Sequence, residues 1–297
     1  MTIFVTTAGV QKSILWSTHW EKSPLSMSSN SLRSDARPLV GCTLGFGAIF
    51  SAQLVARAGY DWVLVDMEHN PLSASQATSM THAVIAASAG RCQPLVRVPS
   101  HAVEWTKWAL DSGAYGLVVP MVNSAEEARC IVQNAAYPPL GQRSFGPARA
   151  PYAHVDPTTT VLRYRDEISK DVQIIAMIES VQGLQNAEEI IAVEGITAVF
   201  VGPVDLRMSM GLKGGDGTEE NYLEALKKLV RISKAHNKPI GIFADGPDSC
   251  RSRAREGFEF LLVRIKSPKK SWHQHQLTTY KVPGRSNVTV SICQEKF

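Results

Sequence analysis

Between Pro38 and Val263, short apolar runs alternate with longer stretches that carry a helical stripe, and the alternation hardly breaks. The runs Leu39–Leu44, Val63–Val65, Gln93–Val98, Tyr115–Pro120, Val172–Ile178, Ile196–Val201, Pro239–Phe243 and Phe258–Val263 are too short for core helices. They are continuous enough for strands buried on both faces. The segments between them predict helices over Phe50–Ala58, Ser73–Ala89, Val103–Asp111, Ser124–Ala135, Leu184–Ala192, Glu219–His236 and Ser249–Glu256. Ser73 and Ser124 suit N-caps, and Gly59, Gly90, Gly113 and Gly195 stand where helices close. One connection interrupts the rhythm. Tyr137 to Asp171 reads as a long loop, and loops of that length inside a compact domain are usually functional.

Seven strand–helix units followed by an eighth strand predict an α/β fold of the (β/α)8 TIM-barrel kind. An open doubly wound sheet is the competitor. It usually carries a glycine-rich phosphate loop after its first strand. Here Gly45-Phe-Gly47 lacks a third glycine and the acidic residue that should follow, so a dinucleotide site is not expected. Gly211-Leu-Lys-Gly-Gly-Asp-Gly217 follows no strand directly and reads as a flexible loop, with phosphate cradling as its alternative.

Composition narrows this picture a little. Of 297 residues, 44% are hydrophobic and 20% charged, the balance of a globular protein able to bury a large core. The net charge of +4 owes much to the chain ends, where Arg264, Lys266, Lys269, Lys270, Lys281, Arg285 and Lys296 face only Glu295. No basic helix or aromatic-interleaved patch lies in the body, so neither nucleic acid nor membrane is an expected partner. The five cysteines are scattered without metal or disulfide spacing, and no apolar run reaches the ~20 residues of a membrane span. Reduced thiols in a cytoplasmic setting are expected. Residues 1–36 are Ser/Thr-rich and acid-poor and read as an unstructured or targeting extension, mitochondrial import being one option. Residues 37–263 form the barrel domain, and 264–297 an atypical tail without a convincing amphipathic helix.

Candidate chemistry gathers where the apolar runs stop. Val63-Leu-Val65 ends in Asp66-Met-Glu68-His69-Asn70-Pro71, two carboxylates and an imidazole within four residues. Taken alone, that turn reads equally as a capping acidic loop with a solvated histidine. Arg97, Glu179 and Asp205 stand at the ends of three other strands, and barrel topology brings such residues to one face. Two carboxylates drawn together without a partner repel, and a divalent cation removes the conflict. An oxygen-only set suits Mg2+ or Mn2+ better than zinc. Arg97 offers a planar fork for a substrate oxyanion or, alternatively, a structural ion pair. His69 is the group able to move a proton near neutral pH.

Together these stretches carry a resemblance. Asp61-Trp-Val-Leu-Val-Asp-Met-Glu-His69, Gln93-Pro-Leu-Val-Arg97, Val118-Val-Pro-Met121, Tyr137-Pro-Pro-Leu-Gly-Gln-Arg143, Ile178-Glu179 and Val201-Gly-Pro-Val-Asp-Leu206 resemble the HpcH/HpaI aldolases, in order from about residue 38 to 263. The resemblance implies a metal-dependent class II aldolase that reversibly cleaves a 4-hydroxy-2-oxo acid to pyruvate and an aldehyde through a metal-stabilised enolate. A citrate-lyase-like or malyl-thioester lyase, or an inactive barrel used for binding, are the alternatives. It further implies that Glu179 and Asp205 ligate Mg2+ or Mn2+ (Co2+ being possible) and that Arg97 faces the enolate oxygen. His69 would be the acid/base, oriented by Asp111, with Gly202 and Val204 lining the pyruvate pocket. A homo-oligomer, a hexamer in the family, would be expected. Two departures stand out. Arg207 occupies a position where the family commonly has serine, and the family's closing helix after the eighth strand is replaced from Arg264 onward by polar sequence.

Overall fold

The computed structural model describes residues 37–263, together with 32–34 and three further strands at 2–6, 278–281 and 289–293. In chain order the elements begin with β1 (Thr2–Thr6), β2 (Leu39–Leu44), α1 (Ile49–Arg57), β3 (Trp62–Asp66), α2 (Ala74–Ser88), β4 (Gln93–Arg97), α3 (Val103–Asp111), β5 (Gly116–Val119) and α4 (Ala125–Ala135). The long connection then carries α5 (Ala150–Ala153), α6 (Val161–Asp166) and a 3-10 turn over Ile168–Asp171. After β6 (Gln173–Ile178) come α7 (Val181–Gln185), α8 (Ala187–Ala192), β7 (Ala198–Val201) and α9 (Pro203–Ser209). They are followed by α10 (Glu220–Ala235), β8 (Ile240–Ala244), α11 (Pro247–Glu256), β9 (Phe260–Val263), β10 (Thr278–Lys281) and β11 (Thr289–Cys293).

Strands β2 to β9 pair in sequence order, all parallel, and β9 returns to β2, closing an eight-stranded barrel as expected. Caps fall where the residue types put them. Ser73 forms a full capping box with Gln76, and the Ser124 hydroxyl accepts from the Glu127 amide. The 137–171 connection is less irregular than its composition implied, because the Thr160 hydroxyl caps a short helix there. The single helix expected over 184–192 is two short ones, and Pro203 starts a helix immediately after Gly202.

Period-two alternation sorts each strand's side chains. Trp62, Leu64, Leu95, Val118, Ile175, Met177, Phe200, Phe260 and Leu262 fill the barrel interior. Val63, Val65, Val96, Leu117, Val199 and Ile242 point outward into the layer beneath the helices. The lower barrel is an aromatic plug: Trp62 meets Phe260 edge-on at 5.9 Å between centroids and Phe200 at 6.4 Å. Gly41 and Gly241 make room for it, since a β-carbon at either would lie 2.3 Å from the Trp62 or Phe260 ring. Leu32 is fully buried in the same cluster, and Arg33 pairs with Glu259, so these residues of the expected extension pack against the barrel. The other expectations for 1–36 and 264–297 fall mostly outside the described residues. Within those ranges β1 and β10 pair antiparallel on either side of β11.

Candidate active site

The inward register of three strands runs straight into the candidate chemistry. Trp62 and Leu64 are followed at the next inward position by Asp66, Leu95 by Arg97, and Ile175 and Met177 by Glu179. These residues are the top layer of the barrel's own stack, which is why burial and charge coincide there. Asp66 is 2% exposed and Glu179 4%. Burial at both positions weakens the solvent screening of charge.

Arg97 is held as a fork. Its Nε donates to Asp66 Oδ1 at 2.8 Å, its Nη2 lies 2.8 Å from Asp66 Oδ2, and its Nη1 lies 3.1 Å from Glu68 Oε2. Asp66 also accepts from the Asn70 side-chain amide at 2.8 Å and from the Glu68 backbone at 3.1 Å. Burial alone would raise the Asp66 carboxyl, but the Arg97 hydrogen bond and charge outweigh it and hold Asp66 below the ordinary range. Glu68 moves the other way: burial raises it, the Asp66 and Asp205 charges add to that, and Arg97 and His69 oppose it. Its Oε2 is buried without a hydrogen bond.

Glu179 accepts from the Met121 amide at 2.7 Å, and Met121 takes a left-handed backbone conformation (φ 54°) to present that N–H. Burial pushes the Glu179 carboxyl up to about 7. The nearby Glu68 and Asp205 charges push the same way, and the Met121 N–H and Arg97 pull it back. Gly202 sits against it, where a β-carbon would lie 2.1 Å from Glu179 Oε2. Asp205 lies in the first turn of α9 and is exposed. The arrangement is short of positive charge at Glu179, and the oxygen donors of Glu179 and Asp205 suit a hard divalent cation. Among the described residues no three His, Cys, Asp or Glu groups could hold a metal by themselves, so water or substrate would have to complete the shell.

His69 stands at the edge of this centre with its side chain 63% exposed, its Nε2 3.5 Å from Glu68 Oε2. The expected His69–Asp111 pairing is not made within the chain. Helix α3 begins beyond the carboxyl end of β4 and runs back toward the amino end of β5, which leaves Asp111 at the far end of the barrel. There Asp111 accepts from Arg143 Nη2 at 2.6 Å, while the Arg143 guanidinium lies 4.5 Å over the Tyr137 ring. Val204 is half-buried beside Asp205. Asn70 and the Met121 amide were not singled out from sequence. The four-residue spacing from Asp66 could have pointed to Asn70, whereas nothing local announces a left-handed Met121.

A closed parallel barrel with buried acids and a forked arginine at the carboxyl ends of its strands is the architecture of a TIM-barrel enzyme. The comparisons carry this further. A family model described as HpcH/HpaI aldolase/citrate lyase matches residues 49–266. A hydroxypyruvate/pyruvate aldolase of Delftia acidovorans is 36% identical over 230 residues, covering 77% of this chain and 83% of that protein. A 4-hydroxy-2-oxovalerate aldolase of Novosphingobium aromaticivorans is 40% identical over 193 residues, 65% of this chain and 71% of that one. The crystal structure of an HpcH/HpaI aldolase/citrate lyase family protein from Burkholderia cenocepacia J2315 superimposes with a TM-score of 0.71 at 30% identity, covering 80% of this chain and 91% of that one. The chain belongs to the HpcH/HpaI aldolase/citrate lyase family. It is a lyase of the class II, metal-dependent aldolase type.

Proposed function

We propose that the protein reversibly cleaves a 4-hydroxy-2-oxo acid into pyruvate, or a close 2-oxo acid, and an aldehyde, with the roles divided among residues of the barrel mouth. The observation that carries this division is the buried Glu179 carboxyl beside Glu68, Asp205 and Arg97. A divalent cation held by Glu179 and Asp205, Mg2+ or Mn2+, would supply Lewis acidity toward the oxygens of the 2-oxo acid. Arg97 provides fixed positive charge beside the oxygen on which negative charge develops. Because Asp66 and Glu68 hold three of its nitrogens, that charge needs no reorganisation during the reaction. His69, exposed at the rim, exchanges the proton of the substrate 4-hydroxyl. The backbone around Gly202 and Val204 lines the pyruvate end, where a side chain at 202 would collide with Glu179. Asp111 has no part in a single-chain site, since it is spent on Arg143.

The relatives' names, hydroxypyruvate/pyruvate aldolase and 4-hydroxy-2-oxovalerate aldolase, support this substrate class. They do not favour a thioester lyase or an inactive binding protein. Among the described residues no helix is long and apolar enough to cross a membrane. A cytoplasmic homo-oligomer, a hexamer on the resemblance, completes the proposal. The test is pyruvate release from 4-hydroxy-2-oxo acids before and after EDTA. Activity should vanish on chelation and return with Mn2+ or Mg2+. Undiminished turnover in EDTA, or none after metal is restored to folded protein, would overturn the reading.

A further inference from the structure

Helix α9 carries Asp205 in its first turn and is only seven residues long, too short to hold its own direction. Its start is set by Gly202, whose amide donates to Ile178 O at 3.4 Å and whose α-carbon lies flush against Glu179. Two residues after Asp205 comes Arg207. At 100° per residue, positions two apart project from nearly opposite sides of a helix. Asp205 is exposed at the mouth, and Arg207 is 3% exposed, pointing into the protein frame.

Burying a guanidinium is costly unless its donors are used, and those of Arg207 are. Its Nε donates to Lys213 O at 2.9 Å, its Nη2 to Glu219 Oε1 at 2.8 Å and its Nη1 to Glu219 Oε2. Its Cζ lies 5.0 Å from the centre of the buried Tyr222 ring. Gly217 passes so close that a β-carbon there would overlap Arg207 Nη1. A second buried arginine, Arg253, lies 5.7 Å from the same ring and binds Asp216 and Glu256, and Asp216 also accepts from Ser249. The glycine-rich stretch 211–217 is thus fastened to α10 and α11, and Arg207 ties α9 to that fastened frame. None of these side chains is a reacting group, although Gly214 lies against Val204, and together they fix the far side of the helix that presents Asp205.

We propose that Arg207, through its forked pair with Glu219, is a positioning residue that sets Asp205 relative to Glu179. The inference rests on Asp205 being a metal ligand. Outer contacts that orient metal ligands typically change affinity by about 10- to 100-fold when removed. Because Arg207 acts at one remove, the low end is expected.

The experiment measures Mn2+ dissociation constants by electron paramagnetic resonance, alongside pyruvate-release kinetics and thermal melts. The proteins are wild type, Arg207→Met, Arg207→Lys, Glu219→Gln, the Arg207→Met/Glu219→Gln double variant and Asp205→Asn. Arg207→Met and Glu219→Gln should each weaken Mn2+ roughly ten-fold, with the double variant no weaker than either alone. Arg207→Lys should fall between, because a lysine keeps the charge without the fork. At saturating Mn2+, kcat should return to within about three-fold of wild type, because no reacting group has been removed. If Arg207→Met does not fold, Glu219→Gln carries the test, since it leaves the arginine donors an acceptor. Mn2+ affinity within two-fold of wild type in a folded Arg207→Met or Glu219→Gln protein overturns the proposal, whatever happens to the melting temperature. The Asp205→Asn protein separates the two layers of the argument. If it binds Mn2+ as wild type does, the ligand assignment fails. If it loses Mn2+ while the Arg207 and Glu219 variants keep it, only the positioning role fails.

Discussion

The two ends of this barrel bury side chains from the same inward register and use them in opposite ways. At the amino end, Trp62, Phe200, Phe260 and Leu32 pack into a plug in which glycines at 41 and 241 give the rings room. At the carboxyl end, the same alternation delivers Asp66, Arg97 and Glu179, and burial works against charge there instead of for packing. Position along the strand, more than exposure, separates stability from chemistry in such a barrel. Asp66 is as buried as Leu64, and only its place in the stack makes it part of a site.

Substitutions at the two ends should therefore separate folding from turnover. The largest effect is expected at the plug. Phe260→Ala should lower stability by about 3–5 kcal/mol through lost burial and the cavity left behind, read from the denaturant midpoint. The kcat of the remaining folded protein should change little. A kcat drop matching the loss of stability would erase the distinction between the ends. At the mouth, Arg97→Ala and His69→Ala should each lower turnover by roughly 100-fold or more. Their stabilities should diverge. His69 is exposed, so its variant should melt like wild type, whereas Arg97→Ala leaves Asp66 and Glu68 buried without their cation and should melt lower. Near-wild-type turnover in either variant removes that residue from the mechanism.

The smallest effect concerns pH. The amino-end side holds a half-buried imidazole, His154, stacked on Tyr115 at 5.8 Å between centroids, its covered Nε2 without a hydrogen bond. Burial, with the Arg163 and His82 charges, pushes it down to about 4 from an ordinary 6.5. The unfolded chain takes up this proton near pH 6.5 and the folded protein only near 4. Stability is therefore fully present above pH 6.5 and is lost as the pH falls toward 4, by less than about 3.4 kcal/mol because the half-buried ring is partly solvated. Urea midpoints of wild type and His154→Gln between pH 7 and 4 check this, the variant losing less on acidification. Parallel pH slopes would show that the site is wet enough to charge freely.

Much of the architecture was legible because it is written locally. Apolar runs of strand length, serines at Ser73 and Ser124 and glycines at helix ends specify the alternation, and eight such strands leave few ways to close. Charged residues stopping apolar runs exposed Asp66, Arg97 and Glu179 for the same reason. Residues whose meaning depends on a distant partner were not legible. Asp111 ends a helix in the sequence and only the fold gives it Arg143 in place of His69. Arg207 could have faced solvent, and its burial under the 211–217 loop depends on Glu219 and Tyr222, which lie 12 and 15 residues further on. Leu32 reads as part of a polar extension until the floor of the barrel covers it.

Periodicities, caps and the alternation of strands with helices, and with them which residues stand at strand ends, were fixed locally, because each depends on near neighbours along the chain. Which of those residues share a site, which charges are satisfied, and the upward push that burial gives the Glu179 carboxyl came from the packed fold. Proximity and desolvation come from chain segments meeting across the barrel, and no local pattern encodes how far apart they will be.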